Sequence, residues 1–158
     1  MKTKVVLLGV FVLLECLLMA SFLQPRLLVA GDAITYIQTA QSLSSGQGYR
    51  VQGQQHTKWP PLYPALLAVP VFFFGKNVIT MEIATFIAAI LGLLVSFFLI
   101  CQLKNKKIFS LWSVILAGVT FPFIYHSVNI FSEPLYFLIT VSVLFCLSKM
   151  SYDDKFWF

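Results

Sequence analysis

The chain has 158 residues, 59% of them hydrophobic and 11% charged, with a formal net charge of +5, whereas a soluble domain carries roughly 45–50% and about 25%. Its sixteen phenylalanines, with runs such as VFFFG at 71–75 and VSFFLI at 95–100, argue against a water-soluble fold, which would expose large apolar patches. The basic excess sits at the ends of apolar runs, without a basic face interleaved with aromatics, so nucleic acid is not the expected partner; a lipid bilayer is.

Residues 5–23, VVLLGVFVLLECLLMASFL, form the first apolar run, and a helix of this length spans about 28 Å, close to the hydrocarbon thickness of a bilayer. Lys2 and Lys4 give it the basic start of a signal peptide. The run is longer than a usual h-region, and leucines occupy the −3 positions before Ala20 and Ala30, so it is read as an uncleaved anchor. Cys16, Cys101 and Cys146 lie in or at the ends of apolar segments, are odd in number and lack CxxC spacing; they read as packing residues.

A long polar-containing loop, 24–77, comes next. Within it, residues 32–45 predict a helix lying at the membrane interface, because Ala33, Tyr36, Ile37, Ala40 and Leu43 recur at helical spacing and Gly46 and Gly48 supply the stop. WPPLYPALLAVPVFFFG at 59–75 leaves too few residues after Pro64 to cross comfortably, and predicts a surface or re-entrant helix. A thin extra span there would invert everything after it.

Further spans are predicted at 78–103, 108–123 and 131–147, four in all. With the N-terminus cytoplasmic, Lys2, Lys4, Lys104, Lys106, Lys107, Lys149 and Lys155 collect inside against Arg26, Arg50, Lys58 and Lys76 outside, and seven against four favours that orientation. The expected fold is therefore an all-α integral membrane module of about four transmembrane helices, with a long outer loop carrying interfacial helices. No repeat, heptad or low-complexity tract is evident.

Several residues could carry chemistry. Asp32, at the start of the 32–45 helix, has a structural reading as an acid favoured by the helix N-terminus, and a functional one as a carboxylate at headgroup level. Glu133, in SEPLYF, follows Ser132 and precedes Pro134, an ordinary helix start that would also face the outer side. Tyr36 and Tyr63 could offer hydroxyls or stacking faces to a sugar, although interfacial tyrosine is common in membrane proteins. His56 and His126 lack close ligand spacing, so a divalent metal is conceivable and no metal ligand is assigned. Glu15, buried in the first run, reads as a functional group or a protonated packing contact.

The ordered set, an apolar helix followed by GDAITYIQTAQSLSSGQGY, then KWPPLYPALLA and later FSEPLYFL heading another span, resembles the N-terminal part of the GT-C membrane glycosyltransferases. It is most similar to the family 39 and aminoarabinose-transferase-like branch that uses polyprenyl-phosphate sugars. The resemblance covers essentially the whole chain. It implies transfer of a sugar from a polyprenyl-phosphate donor to a glycan, lipid or protein acceptor at the outer face of the cytoplasmic membrane.

Asp32 matches the family's loop acid and would be the catalytic base; a positioned base typically supplies about 10² to 10⁴-fold. Lys58, and less directly Arg50, would meet the leaving lipid phosphate, though snorkelling or headgroup contact explains such cations equally well. Glu133 would position substrate. Ala33 stands where protein O-mannosyltransferases carry a second acid, and Trp59 separates Lys58 from Pro60 and Pro61, so the acceptor is not inherited. Relatives of this type have many more spans, so the chain is expected to be the front of a longer enzyme, an inactive remnant or a subunit needing a partner chain. A non-catalytic membrane protein that binds lipid or a larger partner through the same loop is the alternative. A transporter fits less well, since the polar groups cluster at the interface.

Overall fold

The computed structural model describes residues 2–22, 31–104 and 107–152. Arg26, Lys106 and Lys155 of the charge comparison, Leu23 at the end of the first predicted span and the loop start at 24–30 lie outside the described residues. The elements run α1 Lys2–Phe22, α2 Asp32–Ser44, β1 Arg50–Val51, β2 Gln54–Gln55, α3 Leu62–Phe74, α4 Val78–Lys104, α5 Lys107–Gly118, α6 Phe121–Ser127 and α7 Glu133–Tyr152.

Among the described residues two helices are long and apolar enough to cross a membrane, Val78–Leu103 within α4 and Glu133–Met150 within α7. α5 and α6 make a third if the bent pair is counted as one span. Within α1, Gly9–Leu18 is a shorter apolar helical stretch. The protein is thus a mostly helical membrane protein with two to three candidate spans.

α4 begins where Asn77 accepts the Ile79 amide on its side-chain oxygen at 3.0 Å, an N-cap that satisfies one of the free donors of a helix start. Its 27 residues extend about 40 Å, ample for a hydrocarbon core of about 30 Å. α7 lies against it. At Gly92 an added Cβ would sit 2.6 Å from Phe137 Cδ1, so the α4 backbone meets the partner ring directly, as small residues permit between membrane helices. Phe11, Leu93, Phe97 and Val114 form the deeper core, where α1, α4 and α5 meet.

The third predicted span, 108–123, is corrected. Instead of one straight helix, the chain breaks by 69° between Gly118 and Phe121. Thr120 is extended, with φ −72 and ψ 135, and Pro122 lies in the first turn of α6, where its missing N–H costs nothing; in a continuous helix it would interrupt the ladder. The break also meets α1: an added Cβ on Gly118 would fall 2.8 Å from Glu15 Oε1, so the buried Glu15 carboxyl occupies the space a side chain would need. α6 then continues to Ser127, into the stretch between the third and fourth predicted spans.

In the loop, α2 matches its predicted bounds closely. Ala33, Tyr36, Ile37 and Ala40 are buried at i, i+3, i+4 and i+7, and a Schellman closure ends the helix. Gly46, at φ 74, donates to the Leu43 carbonyl at 3.1 Å and Gln47 to that of Ser42 at 2.9 Å. The following hairpin was not predicted. Gln52 and Gly53 have φ of 50 and 80, the positive pair of a two-residue I′-type turn.

α3 buries Tyr63, Pro64, Leu67, Pro70 and Val71 and exposes Leu62, Val69 and Phe72–Phe74. Its 13 residues extend about 20 Å, short of the bilayer core. α2, α3, the start of α4 and Ile130 share one core around Ala40, Leu67 and Met81.

Candidate functional site

The cluster of α2, α3 and the head of α7 is organised by two tyrosines. Tyr36 and Tyr63 meet edge to face with ring centroids 5.0 Å apart, an arrangement favoured by the ring quadrupoles. Both rings are buried. Tyr36 donates its hydroxyl to Ser132 Oγ at 3.4 Å, linking α2 to the residue before α7. The Tyr63 and Thr85 hydroxyls share a 2.7 Å hydrogen bond that links α3 to α4, and Thr85 also donates to the Met81 carbonyl.

A cleft of about 270 Å³ opens beside them, lined by Tyr36, Pro60, Leu62, Tyr63, Ser132, Glu133, Leu135, Tyr136 and Ile139. Its lining combines polar Ser132 and Glu133 with apolar Leu62, Leu135 and Ile139.

Of the residues singled out from the sequence, the structure brings Tyr36, Tyr63 and Glu133 together around this cleft. Asp32 lies exposed in the first turn of α2, one turn before Tyr36 and outside the lining. Arg50 is exposed in β1, opposite Gln55. Lys58 is exposed too, with its ammonium 4.8 Å from the centroid of the Trp59 ring. Trp59 accepts the Tyr49 hydroxyl on its carbonyl at 3.0 Å and packs on the loop core, so the segment around Lys58 is anchored although its charge stays outside.

The phenols differ from solvated ones. Burial pushes the Tyr63 phenol far above its ordinary value; the Thr85 hydrogen bond opposes this, and the neighbouring Tyr36, Glu133 and Glu82 add to it. Tyr49 is raised in the same sense, by burial and then by Tyr36. Tyr63 therefore acts as a neutral hydrogen-bonding group and a rigid floor.

Glu82 was missed by sequence reasoning. It is 4% exposed, its Oε2 has no hydrogen-bond partner among the described residues, and its charge reaches Tyr63 from α4. The signal was present, since it is the one acid in the apolar run 78–103, and a carboxyl inside such a run is a functional candidate. Ser132 was read only as a helix cap, yet its hydroxyl ties α2 to α7.

Among the described residues no group of three or more His, Cys, Asp or Glu side chains could hold a metal ion. No protein-family model, curated protein or solved structure matches the chain.

Proposed function

We propose that the chain is a GT-C-type membrane glycosyltransferase, or the N-terminal part of one, that transfers a sugar from a polyprenyl-phosphate donor at the outer face of the cytoplasmic membrane. The observation that carries this reading is the cleft between two loop helices and the head of α7, polar at Glu133 and apolar along Leu135 and Ile139. Such a shape suits a molecule with a polar head and a hydrocarbon tail. In this reading α1 completes a four-span arrangement with α4, α5–α6 and α7, and the N-terminus is cytoplasmic.

Asp32 would take the proton of the acceptor hydroxyl as its oxygen attacks the anomeric carbon. The bond from that carbon to the phosphate oxygen breaks with inversion, and polyprenyl phosphate leaves. Lys58 would neutralise the departing phosphate, with Arg50 nearby on the loop, while Glu133, Tyr36 and Tyr63 position the substrate. The acceptor would approach from the aqueous side, where Asp32 is exposed.

Reconstituted in vesicles with a radiolabelled undecaprenyl-phosphate sugar, the protein and any partner chain should transfer label to an acceptor. Asp32→Asn should abolish transfer while leaving membrane insertion intact. Full activity of that variant would reject the assigned role.

A second reading rests on a specific observation. Asp32 lies outside the cleft, and the cleft is slightly smaller than the roughly 300–1,000 Å³ of usual ligand sites. A non-catalytic protein that holds a lipid in this cleft, or docks on a larger membrane partner, would bind undecaprenyl phosphate equally well with Asp32→Asn and transfer nothing.

A further inference from the structure

The lining of the cleft is one-sided in charge. Glu133 is its one charged residue, and it includes no Lys, Arg or His. Lys58, close in sequence to Pro60 of the lining, holds its ammonium 4.8 Å from the Trp59 ring centroid and stays outside. His126 Nδ1 is 3.9 Å from Glu133 Oε1, beyond hydrogen-bond range, so the carboxylate oxygens are open to a ligand.

The hydrogen-bonding capacity has the same bias. Thr85 donates its hydroxyl proton to the Met81 carbonyl, so Tyr63 is the donor in the 2.7 Å contact between the two hydroxyls. Tyr36 donates to Ser132 Oγ. The amide end of a helix ordinarily attracts an anion. At the head of α7, however, Pro134 has no N–H, and the Tyr136 amide is bonded to the Ser132 carbonyl at 3.0 Å. Acceptors therefore prevail, in the carboxylate and the hydroxyl oxygens. An ionised phosphate brings only further acceptors, whereas an ammonium carries three donors and no acceptor.

Aromatic rings complete the match. Tyr36 and Tyr63 are fixed edge to face, and Tyr136 stands exposed on α7, one turn after Glu133. Ring faces carry negative potential and attract an ammonium. Leu135, Tyr136 and Ile139 recur on one face of α7, and Ile139 lies about 9 Å further along the candidate span than Glu133. The cleft volume of about 270 Å³ is room for a small head and the start of an alkyl chain.

We infer that the cleft binds the ammonium head of a membrane phospholipid, with the Glu133 carboxylate as counter-ion and the tyrosine rings as walls. A lipid is the source because the lining starts at the head of a candidate span and continues along it. A donor phosphate is then left to Lys58 and Arg50, outside the lining. That division of labour rests on the proposed function; the ligand class of the cleft does not.

The test uses the full chain in detergent. Native mass spectrometry measures bound phosphatidylethanolamine, phosphatidylcholine and phosphatidylglycerol of identical acyl chains. Basic residues elsewhere on the chain attract anionic lipid, so the readout is the change in the ethanolamine-to-glycerol binding ratio on substitution. Glu133→Gln should lower this ratio about two- to fivefold, the range of a partly exposed ion pair, and Glu133→Lys should lower it further. Tyr136→Leu, at an exposed position, should weaken the ethanolamine lipid about two- to fivefold through loss of a cation–π contact and leave the glycerol lipid unchanged. The choline lipid, whose cation has no N–H, should respond less to Glu133→Gln than the ethanolamine lipid does. Circular dichroism checks that each variant is folded.

An unchanged ratio in Glu133→Gln would overturn the inference. Equal loss of all three lipids would do the same, since the residues would then shape the cleft without reading the head. So would undecaprenyl phosphate displacing the ethanolamine lipid at equal concentration, which would put the phosphate in the cleft. If the wild type transfers no sugar while the ratio responds as expected, the proposed function fails and the inference stands.

Discussion

At the scale of single residues, Tyr63 shows how burial turns a reactive-looking group into a structural one. The sequence marks it as an interfacial tyrosine with a free hydroxyl; the fold instead buries the ring to 4% exposure and gives the hydroxyl to Thr85. Its phenol is raised in the folded state, so the stabilisation it contributes is fully present below the unfolded pKa of about 10 and is lost as pH rises beyond it. Absorbance titration in nanodiscs should accordingly show a tyrosine that ionises only with alkaline unfolding. Tyr63→Phe should remove that component and lower stability by about 1 kcal/mol, since Thr85 keeps its bond to the Met81 carbonyl. If Tyr63→Phe instead removed a component that titrates near the ordinary tyrosine value of about 10, the phenol would be solvated. Tyr36, Tyr63 and Glu133 each end or line a polar interruption in the sequence, and the structure brings them to one cleft, whereas Asp32, Arg50 and Lys58 lie outside its lining. Glu82 was passed over because its apolar neighbours read as a span, and hydropathy does not report which way one carboxyl faces.

At the scale of elements, legibility followed the strength of the local signal. α2 was readable to within a residue because a four-position apolar stripe and a glycine stop coincide. Gly46→Ala should cost about 1–2 kcal/mol, as its Cβ must enter the left-handed region without meeting any neighbour; an unchanged melting temperature would refute this. The hairpin was not readable because Gln52-Gly53 lacks the Asn-Gly or Asp-Gly signature of its turn. The 69° break was hidden for another reason: an average over apolar residues is the same for a straight helix and a bent one. Only Gly118 and Pro122 mark it, and the former matters through Glu15 on a distant helix. Packing between α4 and α7 likewise includes a close approach at one small residue. Gly92→Leu should separate the helices and destabilise by about 1–3 kcal/mol, because Phe137 and the Leu138 backbone leave no room; wild-type stability in that variant would show that the two helices do not pack there.

At the scale of the whole molecule, the decisive question is the side on which α3 leaves the membrane surface. The sequence predicts a surface or re-entrant helix there, with a thin span as the alternative that the positive-inside count opposes. The structure favours the first two. One face of α3 is sealed against α2 and the start of α4, and about 20 Å of helix cannot bridge about 30 Å of hydrocarbon without thinning it. Phe72–Phe74 stand exposed at the end of α3. The cleft needs this geometry, because Tyr63 of α3 and Glu133 of α7 line it together and must share one side of the membrane. In a cysteine-free background, Gln54→Cys and Lys76→Cys flank α3 at exposed positions, and an impermeant maleimide added outside intact cells should label both. Lys149→Cys, at the far end of α7, should be labelled only after permeabilisation. Labelling of Gln54→Cys but not Lys76→Cys would show that α3 crosses, which would invert α4 and α7 and carry Glu133 to the cytoplasmic face. The cleft could not then assemble as a single outer site, and the glycosyltransferase reading would fall with it.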